Sequence, residues 1–313
     1  MLPAFKEDHW LISRENRGYY QWVDKKPFHL ERYNFLRRLQ HRPFLDGDFD
    51  ARSVVSELFE SGLGLHPMLD IAFAAVARAE IRLSTRFIPQ GSHEERLTGS
   101  LVSEIEAAIH LASGPFRQRA LERYNDERTI DFIYYDLSQG GRIEKQTGAD
   151  LGIILHIDLP DFPKIIRFAA FQAKKLNRSA QLEKAQFNSL LSAFPKASAY
   201  LFYDTNFATL APPLVVEAES LEDESKEDAT TDSFSVLSKK AFFNGVPLSL
   251  WLFSKMAREQ TGHSALNFST AIEKFTNRPN DAEFFGGRLA ILSVGRRLQL
   301  TRRDETGLDV TLG

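Results

Sequence analysis

Two apolar runs, "LGIILHIDL" and "KIIRFAAF", are parted only by "PDFP" at residues 160–163. Both runs are rich in β-branched residues and short enough to be strands. Pro160 and Pro163 bracket a tight connection centred near residue 161.5. This limits the fold strongly, because two strands joined so closely pair antiparallel. Folding about that centre places Asp150 opposite residue 173, and with the turn length uncertain by one residue it falls beside Gln172 or Lys174.

The end of the second run gives that pairing a chemical meaning. "AFQAKK" breaks a buried pattern with Gln172, Lys174 and Lys175. Strand alternation puts Gln172 and Lys174 on one face and Lys175 on the other. Asp150, in "TGAD" at the opening of the first run, joins them. A hard cation such as Mg²⁺, or Mn²⁺ in its place, takes oxygen ligands. Asp150 offers a carboxylate, Gln172 a side-chain carbonyl and Ala173 a backbone carbonyl. Lys174 does not ligate while protonated, but its ammonium would orient an attacking water and steady negative charge at phosphorus. A further carboxylate is needed from outside the hairpin, and Glu94, Glu95, Glu104, Glu106 and Glu144 are candidates.

Around the hairpin the periodicity alternates between helix and strand. "HLERYNFLRRLQ" and "ARSVVSELFESG" have helical spacing, and a longer helix is expected from Met68 to about Phe87, broken by "PQGSHEE". Ser92 followed by Glu95 forms a capping-box pattern for the next helix, which should stop at Gly114–Pro115. "TIDFIYYDL" reads as a strand before the hairpin. "QLEKAQFNSLLSAF" reads as a helix after it, and "ASAYLFYD" as a final strand. Residues 94–205 thus form an α/β core. "EAESLEDESKED" reads as a solvated acidic loop, and "RLAILSVGRRLQLTRR" as a terminal hairpin around Gly295. The chain divides into a helical region over 1–90, the core over 91–210, the acidic loop over 211–235 and a helix-and-hairpin region over 236–313.

"TGAD…FQAKK" behind a glutamate-bearing helix and ahead of "AYLFYD" resembles the PD-(D/E)XK nuclease superfamily. The likeness is to its variant with glutamine at the second acidic position, as in nuclease effectors of bacterial anti-phage systems, and it covers about 94–205. The resemblance implies a restriction-endonuclease-like core of helix, three-stranded antiparallel meander, helix and strand. It also implies an endonuclease, with DNA as the expected substrate and Mg²⁺ or Mn²⁺ as cofactor. Asp150 matches the metal-binding aspartate, Gln172 the D/E position and Lys174 the lysine. "EERLTGSL" is similar to the helix pattern of such nucleases and favours Glu94. Gln172 departs from the parent motif and leaves the site one negative charge poorer. Two alternatives stand beside this reading: a catalytically inactive nuclease-fold module that binds nucleic acid or a partner protein of a defence system, and a junction-resolving homodimer.

Gln186 could face the site from the following helix and touch substrate. Lys175 has solvent exposure and DNA-backbone contact as its two readings. Arg288, Arg296, Arg297, Arg302 and Arg303 cluster near the end of the chain, and Arg296 and Arg297 are candidate phosphate contacts. His156, in phase with Asp150, reads as a hydrogen-bonded strand residue.

The 313 residues are 43% hydrophobic and 26% charged, with a net charge of −3, so the chain reads as a globular protein rather than a polycation that coats nucleic acid. The absence of cysteine excludes thiolate zinc sites and cysteine nucleophiles. The histidines show no HExxH or HxH spacing, and GxSxG, GxGxxG and P-loop patterns are missing. No uninterrupted apolar stretch is long enough to span a membrane, and "MLPAFKEDHW" lacks the apolar core of a signal peptide, so a cytoplasmic protein without a membrane partner is expected.

Overall fold

A computed structural model of the chain describes residues 66–136, 148–205, 212–227, 231–276, 288–303 and 307–312. The two helical patterns at 29–40 and 51–62, and Glu144, lie outside the described residues.

Helix α1 (Pro67–Arg82) starts with a proline in its first turn, and the His66 ring accepts a hydrogen bond from the Met68 N–H. Its buried side includes Leu69, Ala72, Phe73, Val76 and Ala79. A π turn (Leu83–Phe87) and a 3₁₀ turn follow, and the chain reverses at Gly91. Helix α2 (Glu94–Tyr124) is capped by His93 with no side-chain hydrogen bond, so the Ser92 capping box does not form. The helix also passes straight through Pro115. An interior proline costs about 3 kcal/mol and strands the carbonyl four residues earlier. That carbonyl belongs to Leu111, whose side chain is 71% exposed, so water can reach this face. Beyond the proline, Phe116 and Ala120 are fully buried, and Arg123 and Tyr124 bond to Asp161, which offsets the break.

The strands β1 (Thr129–Asp136), β2 (Leu151–Ile157), β3 (Ile165–Leu176), β4 (Ser179–Glu183), β5 (Ser198–Asp204), β6 (Leu214–Glu217), β7 (Ser233–Leu237), β8 (Val246–Pro247), β9 (His263–Ser264), β10 (Arg288–Gly295), β11 (Leu298–Arg303) and β12 (Gly307–Leu312) lie in three sheets. The main mixed sheet has the order β1-β10-β2-β3-β5-β6-β8, with β9 alongside β3. β2 and β5 are buried throughout, as strands covered on both faces must be. Helix α3 (Lys184–Ala193) connects β3 to β5, which run parallel. It is shorter than expected, because residues 179–183 pair with β7 as a strand.

Two expectations fail here for one reason. β1, β2 and β3 do not form a continuous antiparallel meander, because β10 lies between β1 and β2, antiparallel to the first and parallel to the second. Nor does "RLAILSVG" form a hairpin about Gly295. Seven of its eight residues are buried, which suits a central strand and not a terminal ribbon. Gly295, at φ 132°, is where the backbone passes Asp158, and a Cβ there would lie 2.0 Å from the Asp158 carbonyl oxygen. The residues beyond it, β11, pair with β12 in a separate two-stranded sheet.

The acidic stretch is also more ordered than a solvated loop. It holds β6, a 3₁₀ turn (Ala218–Leu221) and helix α4 (Glu222–Glu227). Ala218 and Leu221 are fully buried anchors. Glu217 pairs with Lys255, Glu222 with Lys226 and Glu224 with Lys240, while Glu219 accepts the Lys196 N–H. Distant and local cations therefore neutralise the repulsion that would otherwise keep the segment open.

Candidate functional site

The β2–β3 register is Leu151 with Phe171 and Ile157 with Ile165, which sets Asp150 against Gln172. The ladder closes with the Asp150 N–H donating to the Phe171 carbonyl at 2.8 Å. β3 continues to Leu176 while β2 has ended, so one edge of β3 is left open. On that edge the main-chain groups of alternate residues, Ala173 and Lys175, face outward.

Two carboxylates take up those N–H groups. Asp150 Oδ2 accepts from Ala173 N at 2.8 Å, and Glu94 Oε1 accepts from Lys175 N at 2.8 Å. Asp150 comes from the approach to β2 and Glu94 from the first residue of α2. Because their anchors are two residues apart on a strand, these oxygens lie roughly 7 Å apart along it. The Ala173 carbonyl leaves the strand on the same edge.

Gln172 is 2% exposed, and both ends of its amide are hydrogen-bonded. Nε2 donates to Asp150 Oδ2 at 2.6 Å, and Oε1 accepts from Gln186 Nε2 at 2.9 Å. The orientation thus differs from the expected one: the amide NH₂, not its oxygen, faces the carboxylate. Gln186, in the first turn of α3, reaches the site through Gln172. Gly148, at φ 69°, permits this approach, since a Cβ there would lie 2.5 Å from the Gln186 carbonyl oxygen.

Behind the carboxylates, the Tyr203 hydroxyl meets Thr98 Oγ1 at 3.0 Å, and Thr98 donates to the Glu94 carbonyl. This seats the start of α2 on β5. Burial pushes the Tyr203 hydroxyl far above its ordinary titration range, and the negative charges of Asp150 and Glu94 add to the effect. Tyr200, the β5 neighbour of Gln172, is raised likewise by burial and then by Asp150. The phenols stay neutral.

Lys174 and Lys175 are both half-buried, and neither has an ion-pair partner among the described residues. Lys174 shares the Gln172 face. Lys175 bonds to Glu94 through its backbone. Of the other acids, Glu104 is buried and paired with Arg82 at 2.7 Å, while Glu95 and Glu106 are exposed. Arg296 and Arg297 do not join the site. β10 runs parallel to β2, with Arg288 beside Leu151 and Val294 beside Ile157, so the two arginines follow the far end of the sheet, roughly 20 Å or more away. There Arg296 approaches Asp158 at 3.5 Å. His156 is fully buried, bonds to Ser293 Oγ through Nδ1 at 2.8 Å, and is held down to about 4 by burial, so it is neutral.

The donor set of Asp150, Glu94 and the Ala173 carbonyl consists of hard oxygens suited to a divalent cation. Gln172 fits as a ligand only with its amide reversed. Among the described residues no three His, Cys, Asp or Glu side chains gather in a group able to hold a metal ion. Sequence reading missed Thr98 and Tyr203, and it grouped Arg288 with arginines that lie at the other end of β10. The only signal for Thr98 and Tyr203 was their phase on elements whose docking is non-local.

No helix among the described residues is long and apolar enough to cross a membrane. Compared with known protein families, curated proteins and solved structures, the chain matches none.

Proposed function

We propose that this chain is a divalent-cation-dependent nuclease with a restriction-endonuclease-like core, hydrolysing phosphodiester bonds with DNA as first substrate. The observation that carries the reading is the open edge of β3, where Asp150 and Glu94 accept the N–H groups of the alternate residues Ala173 and Lys175 beside Gln172 and Lys174. Asp150, Glu94 and the Ala173 carbonyl would hold Mg²⁺ or Mn²⁺, which when bound would polarise the phosphate and activate water. The backbone N–H of Ala173 fixes the Asp150 carboxylate, and Gln172 braces it from the side. Lys174 supplies the ammonium that offsets charge building on the phosphate. A place in anti-phage defence is supported by the sequence resemblance alone.

The test is incubation of supercoiled plasmid with Mg²⁺, with EDTA, Asp150→Ala and Lys174→Ala as controls. Cleavage that needs the cation and is lost in both variants is expected. Cleavage that survives Lys174→Ala would sink the assignment of the site. The amide orientation favours one second reading, a nuclease-fold binding module that does not cut, because Gln172 and Ala173 satisfy Asp150 Oδ2 without any cation. Calorimetric titration with Mn²⁺ separates the two: binding abolished by Asp150→Ala supports the nuclease, and no binding at any concentration supports the module.

A further inference from the structure

We infer that the face of α2 turned toward the start of β10 seats the phosphodiester backbone of a nucleic-acid strand entering the site, with Arg96 and Arg288 as its phosphate contacts. The inference rests on the nuclease reading for its direction but is tested apart from it.

An open cavity of about 490 Å³ lies on this face, lined by Arg96, Gly99, Ser100, Ser103, Tyr134 and Arg288 among others. Arg96, Ser100 and Ser103 form one helical stripe, which starts two residues beyond Glu94. The stripe spans roughly 11 Å at 1.5 Å per residue. On the opposite wall, Arg288 is the first residue of β10 and the ladder partner of Leu151, next to Asp150. Its guanidinium reaches toward the Glu95 carbonyl at 3.5 Å, so it crosses from the sheet to the helix.

The charge balance favours an anion. Glu104 also lines the cavity, but Arg82 engages it at 2.7 Å. Asp136 is the ladder neighbour of Arg288 on β1, but among the side chains the structure describes neither Arg96 nor Arg288 is in an ion pair with a carboxylate, and the hydroxyls of Ser100, Ser103 and Tyr134 are suited to donate to phosphate oxygens. Gly99 is the most telling residue. It sits inside a helix, where glycine is the least favoured residue after proline. A Cβ at this position would meet no atom within 4 Å, so nothing in the fold demands glycine. Its absent side chain keeps the floor of the cavity open, as close approach of a strand backbone requires.

The test uses the full chain in EDTA and follows fluorescence anisotropy of a short labelled DNA oligonucleotide, single-stranded and as a duplex. The parent should bind at least one form, more weakly as salt rises. Arg96→Ala with Arg288→Ala should weaken binding roughly tenfold or more and lower the log–log salt slope by about two. Gly99→Leu, which leaves both arginines in place and should keep the parent's circular dichroism and melting, should weaken it comparably by filling the floor. Unchanged binding by both the double variant and Gly99→Leu would overturn the inference. So would a parent that binds neither form, or one that binds a labelled polyglutamate peptide more tightly than DNA. If the nuclease reading alone fails, these losses persist without cleavage or Mn²⁺ binding. If the groove alone fails, cleavage persists while every variant binds alike.

Discussion

The Tyr124 hydroxyl donates to Asp161 Oδ1 at 2.5 Å, tying the last turn of α2 to the centre of the β2–β3 turn. Arg123 holds the other carboxylate oxygen through two nitrogens, at 3.0 and 2.6 Å, and the His66 ring approaches Oδ1 at 2.7 Å. The helix that carries Glu94 at one end is therefore pinned, at its other end, to the turn that sets the register of Asp150 against Gln172. A single exposed loop acid links the two elements on which the candidate site depends.

Asp161→Asn should therefore destabilise the fold by about 1–2 kcal/mol, a range that allows for screening at a carboxylate 39% exposed. Burial acts to raise the Asp161 titration, but the bonds from Tyr124, Arg123 and His66 outweigh it and hold the group well below its ordinary 3.8. The stability this group adds is present above that ordinary value and is lost as pH falls below it. Melting temperatures of parent and variant should differ by a constant amount above about pH 5 and converge in stronger acid. A gap unchanged down to the lowest pH measured would count against the charged network.

Glu80 titrates in the opposite sense. It lies in α1, 2% exposed, with Oε1 accepting the Ser249 N–H at 3.1 Å, and burial raises it to about 8. The folded state keeps its proton between 4.5 and about 8, where the unfolded chain gives it up. Its contribution to stability is thus full below 4.5 and declines as pH rises to about 8. Glu80→Gln keeps the acceptor but not the titration. Across pH 5 to 8 the parent's melting temperature should fall more steeply than the variant's, and parallel curves would refute the assignment.

Legibility from sequence followed contact range. Asp150, Gln172 and Ala173 could be brought together because only the four residues of "PDFP" part the two apolar runs, and an uncertainty of one residue left the pairing recognisable. Glu94 stood as one of five candidate acids and was singled out only by a resemblance, since its bond to Lys175 N spans 81 residues. The insertion of β10 between β1 and β2 was hidden because an apolar strand carries no mark of its partners. Pro115 misled because local propensity favours a stop, while Phe116 and the Asp161 contacts that carry the helix onward are tertiary. The acidic segment misled for the same reason: Lys240 and Lys255 compensate its charge from outside it.

Gly148→Ala probes how α3 is positioned at the site. Alanine at φ 69° is strained, and its Cβ would press the Gln186 carbonyl, so a loss of roughly 1–3 kcal/mol is expected. Gln186 should be displaced from Gln172 at the same time. The backbone and side-chain amide resonances of Gln172 and Gln186 should both move in a ¹⁵N spectrum, while His156, at the other end of the sheet, should not. A spectrum perturbed only within residues 147–149 would show that the close approach does not brace the glutamine pair.

The glutamine at position 172 allows the sharpest test of whether the open edge is a cation site. Nε2 of Gln172 now donates to Asp150 Oδ2 at 2.6 Å. In Gln172→Glu a carboxylate oxygen must take that place, setting two anions against each other in a buried setting. Without divalent cations the variant should be less stable than the parent by about 1–3 kcal/mol, through the repulsion and the lost hydrogen bond. A cation bound between the two acids would reverse this, because a ligand that binds only the folded state stabilises it by mass action. Mn²⁺ should therefore raise the melting temperature of Gln172→Glu by more than it raises that of the parent, and Asp150→Ala should remove the response in both backgrounds. If Mn²⁺ leaves the variant as unstable as EDTA does, the edge of β3 is a hydrogen-bonded strand end that no metal visits.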